Sequence, residues 1–199
     1  KILLKNVSST GKNSIKYKKR VQSDLSTAFI FDTMFPLEKE NNQYRELLTP
    51  KISFRFSPTQ MRNHRTRSSR LDTSNLFSTN RIGMSDTLEA GRSITVGLDY
   101  ENKKRNITNN EHEDFLKLEL GTVMRDKKEE NIPINSTLGK KTSNIFGKLN
   151  FKPNKVLSLG YDFSLTNDLN TFEYNSLNTE LRYNNFSTLF NYIEERGVI

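Results

Sequence analysis

The sequence contains no cysteine. Disulfide frameworks, thiolate zinc sites and cysteine nucleophiles are therefore excluded. Its two histidines, His64 and His112, are far apart, and no carboxylate–histidine set has ligand spacing, so no metal site is expected. No run approaches the ~18–20 apolar residues that a membrane-spanning helix needs, which excludes a helical membrane protein. The longest mostly apolar stretches are Leu25–Phe31 and Val156–Tyr161. Hydrophobic residues make up only 33% of the 199, and mean hydropathy is −0.73. On composition alone that is little core material for a soluble enzyme and points towards disorder. No Ser/His/Asp set has supporting context, and Gly139-Lys140-Lys141-Thr142 lacks the upstream glycine and following helix of a phosphate-binding loop. Neither enzymatic activity nor a cofactor is expected.

Charge is present in excess. Thirty-one Lys and Arg stand against 23 Asp and Glu, a net +8. Such a balance admits nucleic acid, an anionic membrane surface or an anionic glycolipid as partner. Abundant Asn and Lys also raise the pI without any partner. The densest basic run is Arg62-Asn63-His64-Arg65-Thr66-Arg67-Ser68-Ser69-Arg70. A solvated loop is its plainer reading, and a phosphate-contacting arm is the nucleic-acid reading.

The dominant pattern is alternation with a period of two. Leu157, Leu159, Tyr161, Phe163 and Leu165 oppose Ser158, Gly160, Asp162 and Ser164. Side chains of a strand alternate faces, so one wall is apolar and the other polar. Ile94–Tyr100, Leu116–Met124, Ile52–Phe56 and Leu177–Tyr183 repeat the pattern, with further runs over Thr27–Phe35 and Phe186–Tyr192. No helical spacing is sustained for ten residues. Eight or nine antiparallel strands are expected, several of ten or more residues. That exceeds the ~5–6 of ordinary strands and suits the ~9–11 of a tilted strand crossing a bilayer.

The connections alternate in length. Tight turns are expected at Phe151–Lys155 and Asn184-Asn185, and a modest loop at Asn167–Asn170. A connection is placed at Glu101–Glu113, a long loop at about 125–142 and a very long one at about 58–92. Successive antiparallel connections emerge on opposite edges, so one edge bears short turns and the other long loops, as in transmembrane barrels. Charged residues and Gly97, Gly121 and Gly160 on the polar face suit a lumen filled by polar side chains or water. In lipid every backbone group must pair internally, which leaves closed barrels once helices are excluded. The start at Lys1 and the end at Gly197-Val198-Ile199 read as a segment of a longer chain.

One stretch carries a family resemblance. It runs Leu48-Thr49-Pro50-Lys51-Ile52-Ser53-Phe54-Arg55-Phe56-Ser57-Pro58, then Met61-Arg62-Asn63, Leu71-Asp72 and Asn75-Leu76-Phe77. It continues through Asn80-Arg81-Ile82-Gly83, Asp86, Glu89-Ala90-Gly91 and Ile94-Thr95-Val96-Gly97-Leu98. In order and spacing this resembles the C-terminal barrel region of the lipopolysaccharide-assembly family LptD (OstA). The strands at Leu118–Gly121 and Ser143–Phe151 are similar to those that follow in the family, and the likeness covers roughly residues 25–195.

The resemblance implies an all-β fold: antiparallel up-and-down strands forming part of a large transmembrane β-barrel, with residues 1–199 as one partial barrel domain. It implies a cell outer-membrane location and non-enzymatic lipopolysaccharide transport. The implied partners are lipopolysaccharide, outer-membrane lipid, an LptE-like plug lipoprotein and periplasmic Lpt bridge proteins, with no nucleic acid. No lateral-gate residue is assigned. Asp99, Lys117, Glu119, Asp162, Glu180 and Arg182 are the lumen-facing candidates, and Arg62, Arg65, Arg67 and Arg70 the lipopolysaccharide-contacting candidates. A porin or receptor barrel lining a solute channel, and a soluble β-rich module with a basic polyanion-binding loop, are the alternatives.

Overall fold

The computed structural model describes residues 1–12, 19–106 and 111–196. They form ten antiparallel strands: β1 (Ile2–Ser9), β2 (Gln22–Met34), β3 (Leu37–Glu40), β4 (Tyr44–Ser57), β5 (Gly91–Arg105), β6 (His112–Arg125), β7 (Ile145–Phe151), β8 (Leu157–Leu165), β9 (Phe172–Tyr183) and β10 (Phe186–Glu195). Each strand pairs with its neighbour in sequence, apart from the short β3, which lies beside β4 and leaves β2 to pair with β4 directly. The sheet is open: among the described residues no pairing joins β1 to β10. Ten strands stand against the eight or nine expected, and β1 and β3 are the ones the alternation did not mark. β1 has apolar residues on both faces (Ile2 and Leu4, Leu3 and Val7), which blurs its period, and β3 is only four residues long.

The alternating segments become strands because each puts one apolar and one polar wall on the sheet. The register Ile52↔Val96, Ile94↔Met124, Leu98↔Leu120 and Tyr161↔Leu177 aligns the apolar positions on one face. Phe29 stacks on Phe56 with ring centroids 6.3 Å apart. Yet this face stays open: Phe31 is 69% exposed, Ile52 49% and Phe190 57%. A soluble sandwich would bury it.

The loop asymmetry appears as expected. Residues 58–90, 126–144 and 166–171 connect strands at one end of the sheet, the end at which β1 stops and β2 begins. At the other end lie the turns at 152–156 and 184–185. The expected Glu101–Glu113 connection is mostly strand. β5 and β6 continue pairing to Arg105 and His112 past a bulge at Asn102/Lys103, and residues 107–110 lie outside the described residues. Gly197-Val198-Ile199 lie outside them as well.

The buried core lies on the polar side of the sheet. It comprises Met61, Leu71, Leu76 and Ile82 from the first long loop, Ile132 and Leu138 from the second, and Ala90, Val123 and Phe146 beside them. The long loops fold back over the polar face and bring their own apolar residues with them.

Candidate functional site

The seat for the first long loop is cut by two glycines. Gly97 and Gly121 face each other across β5 and β6, and Phe146 stands beside Gly121 on β7. A Cβ at Gly97 would sit 2.7 Å from the Phe77 ring, and one at Gly121 would collide with the Leu76 side chain. Any larger residue would fill the space these two side chains occupy. This corrects the expectation of polar side chains or water over Gly97 and Gly121: apolar loop residues fill the space. Full burial of Leu76 contributes about 1.5–3 kcal/mol, and the partly buried Phe77 adds to it. Within the loop, Asp72 accepts from the backbone N–H groups of Ser74 (2.9 Å) and Asn75 (3.2 Å), a local turn that presents Leu76 and Phe77 to the sheet.

The loop is pinned by a buried ion cluster around Glu89. Arg81 grips it in a fork, Nε to Oε2 at 2.6 Å and Nη2 to Oε1 at 2.6 Å. Arg125 at the end of β6 donates Nη1 to Oε1 at 2.5 Å and Nη2 to the Ala90 carbonyl. Arg55 on β4 approaches Oε2 at 3.5 Å and donates to the carbonyls of Ser78 (2.6 Å) and Thr79 (2.9 Å). Arg81 also donates to Thr95 Oγ1 and Ser93 Oγ on β5, both at 2.7 Å. Glu89, Arg81 and Arg125 side chains are each 1% exposed. Burial alone would raise the Glu89 carboxyl. The charge and hydrogen bonds of Arg81, then the charges of Arg55 and Arg125, outweigh it and hold the group down to about 2. Gly91 supplies the sharp entry into β5 at φ 86, and a Cβ there would meet Arg125 Nη2 at 2.9 Å.

The six candidates for the lumen all stand on the polar face. Asp99 pairs with Lys51. Lys117 lies 3.2 Å from Glu119 and 3.4 Å from Glu101. Asp162 lies 3.3 Å from Lys148, and Glu180 lies 2.5 Å from Arg182. The register places Asp99, Glu119, Lys148 and Asp162 in one row across four strands. Partly exposed pairs of this kind contribute ~0–1 kcal/mol each, so the row sets polarity more than stability.

The four loop arginines separate into two groups. Arg62 turns towards β2, with Nη2 2.6 Å from Asp24 Oδ2, and lies 3.8 Å from Asp86. Beside it His64 is buried, its Nε2 3.1 Å from Asp86 Oδ1. Arg65, Arg67 and Arg70 instead line a cavity of about 360 Å³ at the long-loop rim, shared with Glu173 and Tyr174 of β9, Glu195 of β10 and Arg196 just beyond it. Arg70 lies over the Tyr174 ring, 3.6 Å from its centroid. Asn135 ties the two long loops together there: its Nδ2 donates to Ser68 Oγ (3.2 Å) and its Oδ1 accepts from the Ser69 N–H (3.3 Å).

Sequence reasoning did not give Arg55, Arg81, Glu89 or Arg125 a role. The usable signal was present, because Leu71, Leu76, Phe77 and Ile82 are too apolar for a loop that stays in water. Arg55, Arg81 and Glu89 each lie in one of the runs that carry the family resemblance.

Among the described residues no group of His, Asp and Glu is arranged to hold a metal ion, and no helix is long and apolar enough to cross a membrane. No curated protein matches the chain. A family profile described as LptD, LPS transport system D, matches residues 4–197, nearly the whole chain. The ten-stranded sheet, the exposed apolar wall and this match agree, and the chain belongs to the LptD family of outer-membrane lipopolysaccharide-transport proteins.

Proposed function

We propose that the chain forms part of the wall of an outer-membrane translocon that inserts lipopolysaccharide into the outer leaflet. The observation that carries this reading is the inverted placement of its apolar surface. Phe31, Phe54, Ile94 and Phe190 stand exposed on one face, while the core sits on the opposite, polar face beneath the loops. A lipid-facing wall around a polar interior has this form. The long-loop end then faces outwards from the cell. Asp99, Lys117, Glu119, Asp162, Glu180 and Arg182 line the interior, keeping it wet and unattractive to acyl chains. The loop 58–90, packed on the polar face, narrows the interior near its outer mouth.

In this reading the protein acts by shape and polarity and not by bond-making chemistry. An LptE-like lipoprotein and the periplasmic Lpt bridge proteins are the proposed partners. Of the loop arginines, Arg65, Arg67 and Arg70 stand where phosphates of lipopolysaccharide would pass, while Arg62 is fixed against Asp24. The test is depletion of the intact protein in its own cells, followed by pulse labelling of new lipopolysaccharide. Arrival at the cell surface is expected to fall, with retention inside the envelope. Unchanged surface arrival would end the proposal.

A further inference from the structure

We propose that Arg65, Arg67, Arg70 and Arg196 form a phosphate-binding pocket that holds the phosphorylated headgroup of the transported glycolipid at the outer mouth. The inference rests on the lipopolysaccharide reading above and narrows it, since it divides the arginine run into a structural member and a binding set. Arg62 belongs to the structural side, fixed against Asp24. The other three share one cavity with Arg196, which follows the edge strand β10.

Several observations point to a ligand of this chemistry. The cavity is about 360 Å³, at the small end of the ~300–1,000 Å³ typical of ligand pockets. Four guanidiniums line it against two carboxylates, Glu173 and Glu195. Glu173 is engaged elsewhere, 2.6 Å from Asn144 Nδ2 and 3.9 Å from Lys140 Nζ. Among the described residues no carboxylate lies within ion-pair distance of Arg65, Arg67 or Arg70, whereas Arg62 has one at 2.6 Å. Guanidinium forks suit phosphate groups because they donate bidentately to the phosphate oxygens. Arg70 is held in place by the face of Tyr174, so its fork is set before any ligand arrives. Phe146 and Ile134 give the cavity an apolar flank, which suits an amphipathic sugar better than a free ion.

The test uses the intact protein in detergent and three probes: bisphosphorylated lipid A, the same glycolipid with its phosphates removed, and inorganic pyrophosphate. The native protein is expected to bind the first most tightly. Arg67→Gln with Arg70→Gln should weaken that binding about ten- to a hundred-fold, as loss of charged hydrogen bonds does. Glu195→Gln should tighten it, and Arg62→Gln should leave it within about twofold, because that side chain is outside the cavity. Tyr174→Leu keeps every charge and serves as the second variant, with an expected loss of about threefold. Equal binding of the phosphorylated and dephosphorylated glycolipid overturns the pocket while leaving the transport reading in place. Failure to bind either glycolipid overturns the transport reading itself. Pyrophosphate binding that needs the arginines, without any preference for the glycolipid, overturns the headgroup assignment.

Discussion

Strands β4–β6 and strand β10 belong to one sheet, yet they differ in the burial of the face that lies on its polar side. On β5, Ser93 and Thr95 are 3% and 2% exposed, and Val123 on β6 is fully buried. On β10 every residue is exposed, including Leu189 (65%) and Ile193 (63%), which stand on the side occupied by Glu180 and Ser176 of β9. Both regions are regularly paired, but β4–β6 are interior strands and β10 is an edge strand held by β9 alone. The loop 58–90 lays its apolar residues over β4–β6 and reaches β10 only at its end, where Glu195 shares the arginine-lined cavity. A barrel wall of this type is thus not buried by its own pattern. It is buried where a loop brings apolar residues and a charge partner to it.

Three changes would break or sharpen that contrast. The largest effect is expected from Glu89→Ala. It leaves Arg55, Arg81 and Arg125 buried around a missing carboxylate, and removing one partner of such a cluster costs about 3–5 kcal/mol. Limited proteolysis of the intact protein should then cut within 58–90, and β4–β6 should come to resemble β10 in hydrogen exchange. Acid should act on the same point. The Glu89 carboxyl is held down to about 2 in the folded protein against an ordinary value of 4.5. A depressed carboxyl contributes stability that is complete above about 4.5 and is lost as the pH falls towards 2. Loop protection should therefore decline through that window, and Glu89→Gln should flatten the decline. A decline of the same size in Glu89→Gln would remove Glu89 as its cause.

A middle-sized effect is expected from Gly97→Val. Its Cβ would lie 2.7 Å from the Phe77 ring and 3.0 Å from the Leu120 carbonyl, and overpacking of this kind costs about 1–3 kcal/mol. The readout is the denaturant midpoint of loop protection, with the strand content of the sheet unchanged. A midpoint equal to that of the native protein would show that the loop does not use this seat. The smallest effect belongs to Asp162→Asn in the charge row. Its partner Lys148 is 38% exposed, so the loss should stay below about 1 kcal/mol. A larger loss would mean that the row is a stability element after all.

Much of the fold was legible in the sequence. The runs at 94–100, 116–124 and 157–165 state both the strand and its two faces, because a period of two admits no other regular structure. Loop lengths at 58–92 and 125–142 disclosed the asymmetry of the two ends. What could not be read was contact between segments distant in the chain. Arg55, Arg81, Glu89 and Arg125 are unremarkable in sequence, and their meaning comes from meeting in one buried space. The four-arginine run looked like one unit, but Arg62 and Arg70 diverge because the chain turns at His64–Arg67, where the Arg67 N–H donates to the His64 carbonyl at 2.8 Å.

The sequence by itself determined the long alternating strands, the identity of their two faces and the low demand for a conventional core, but not β1 or β3. Alternation is a local property, and local spacing suffices to set it. Only the tertiary structure decided that Gly97 and Gly121 seat Phe77 and Leu76, that Glu89 gathers three arginines, and that Arg65, Arg67 and Arg70 meet Arg196. Those outcomes depend on which distant surfaces come together, and excluded volume and buried charge are settled only once the chain has closed on itself.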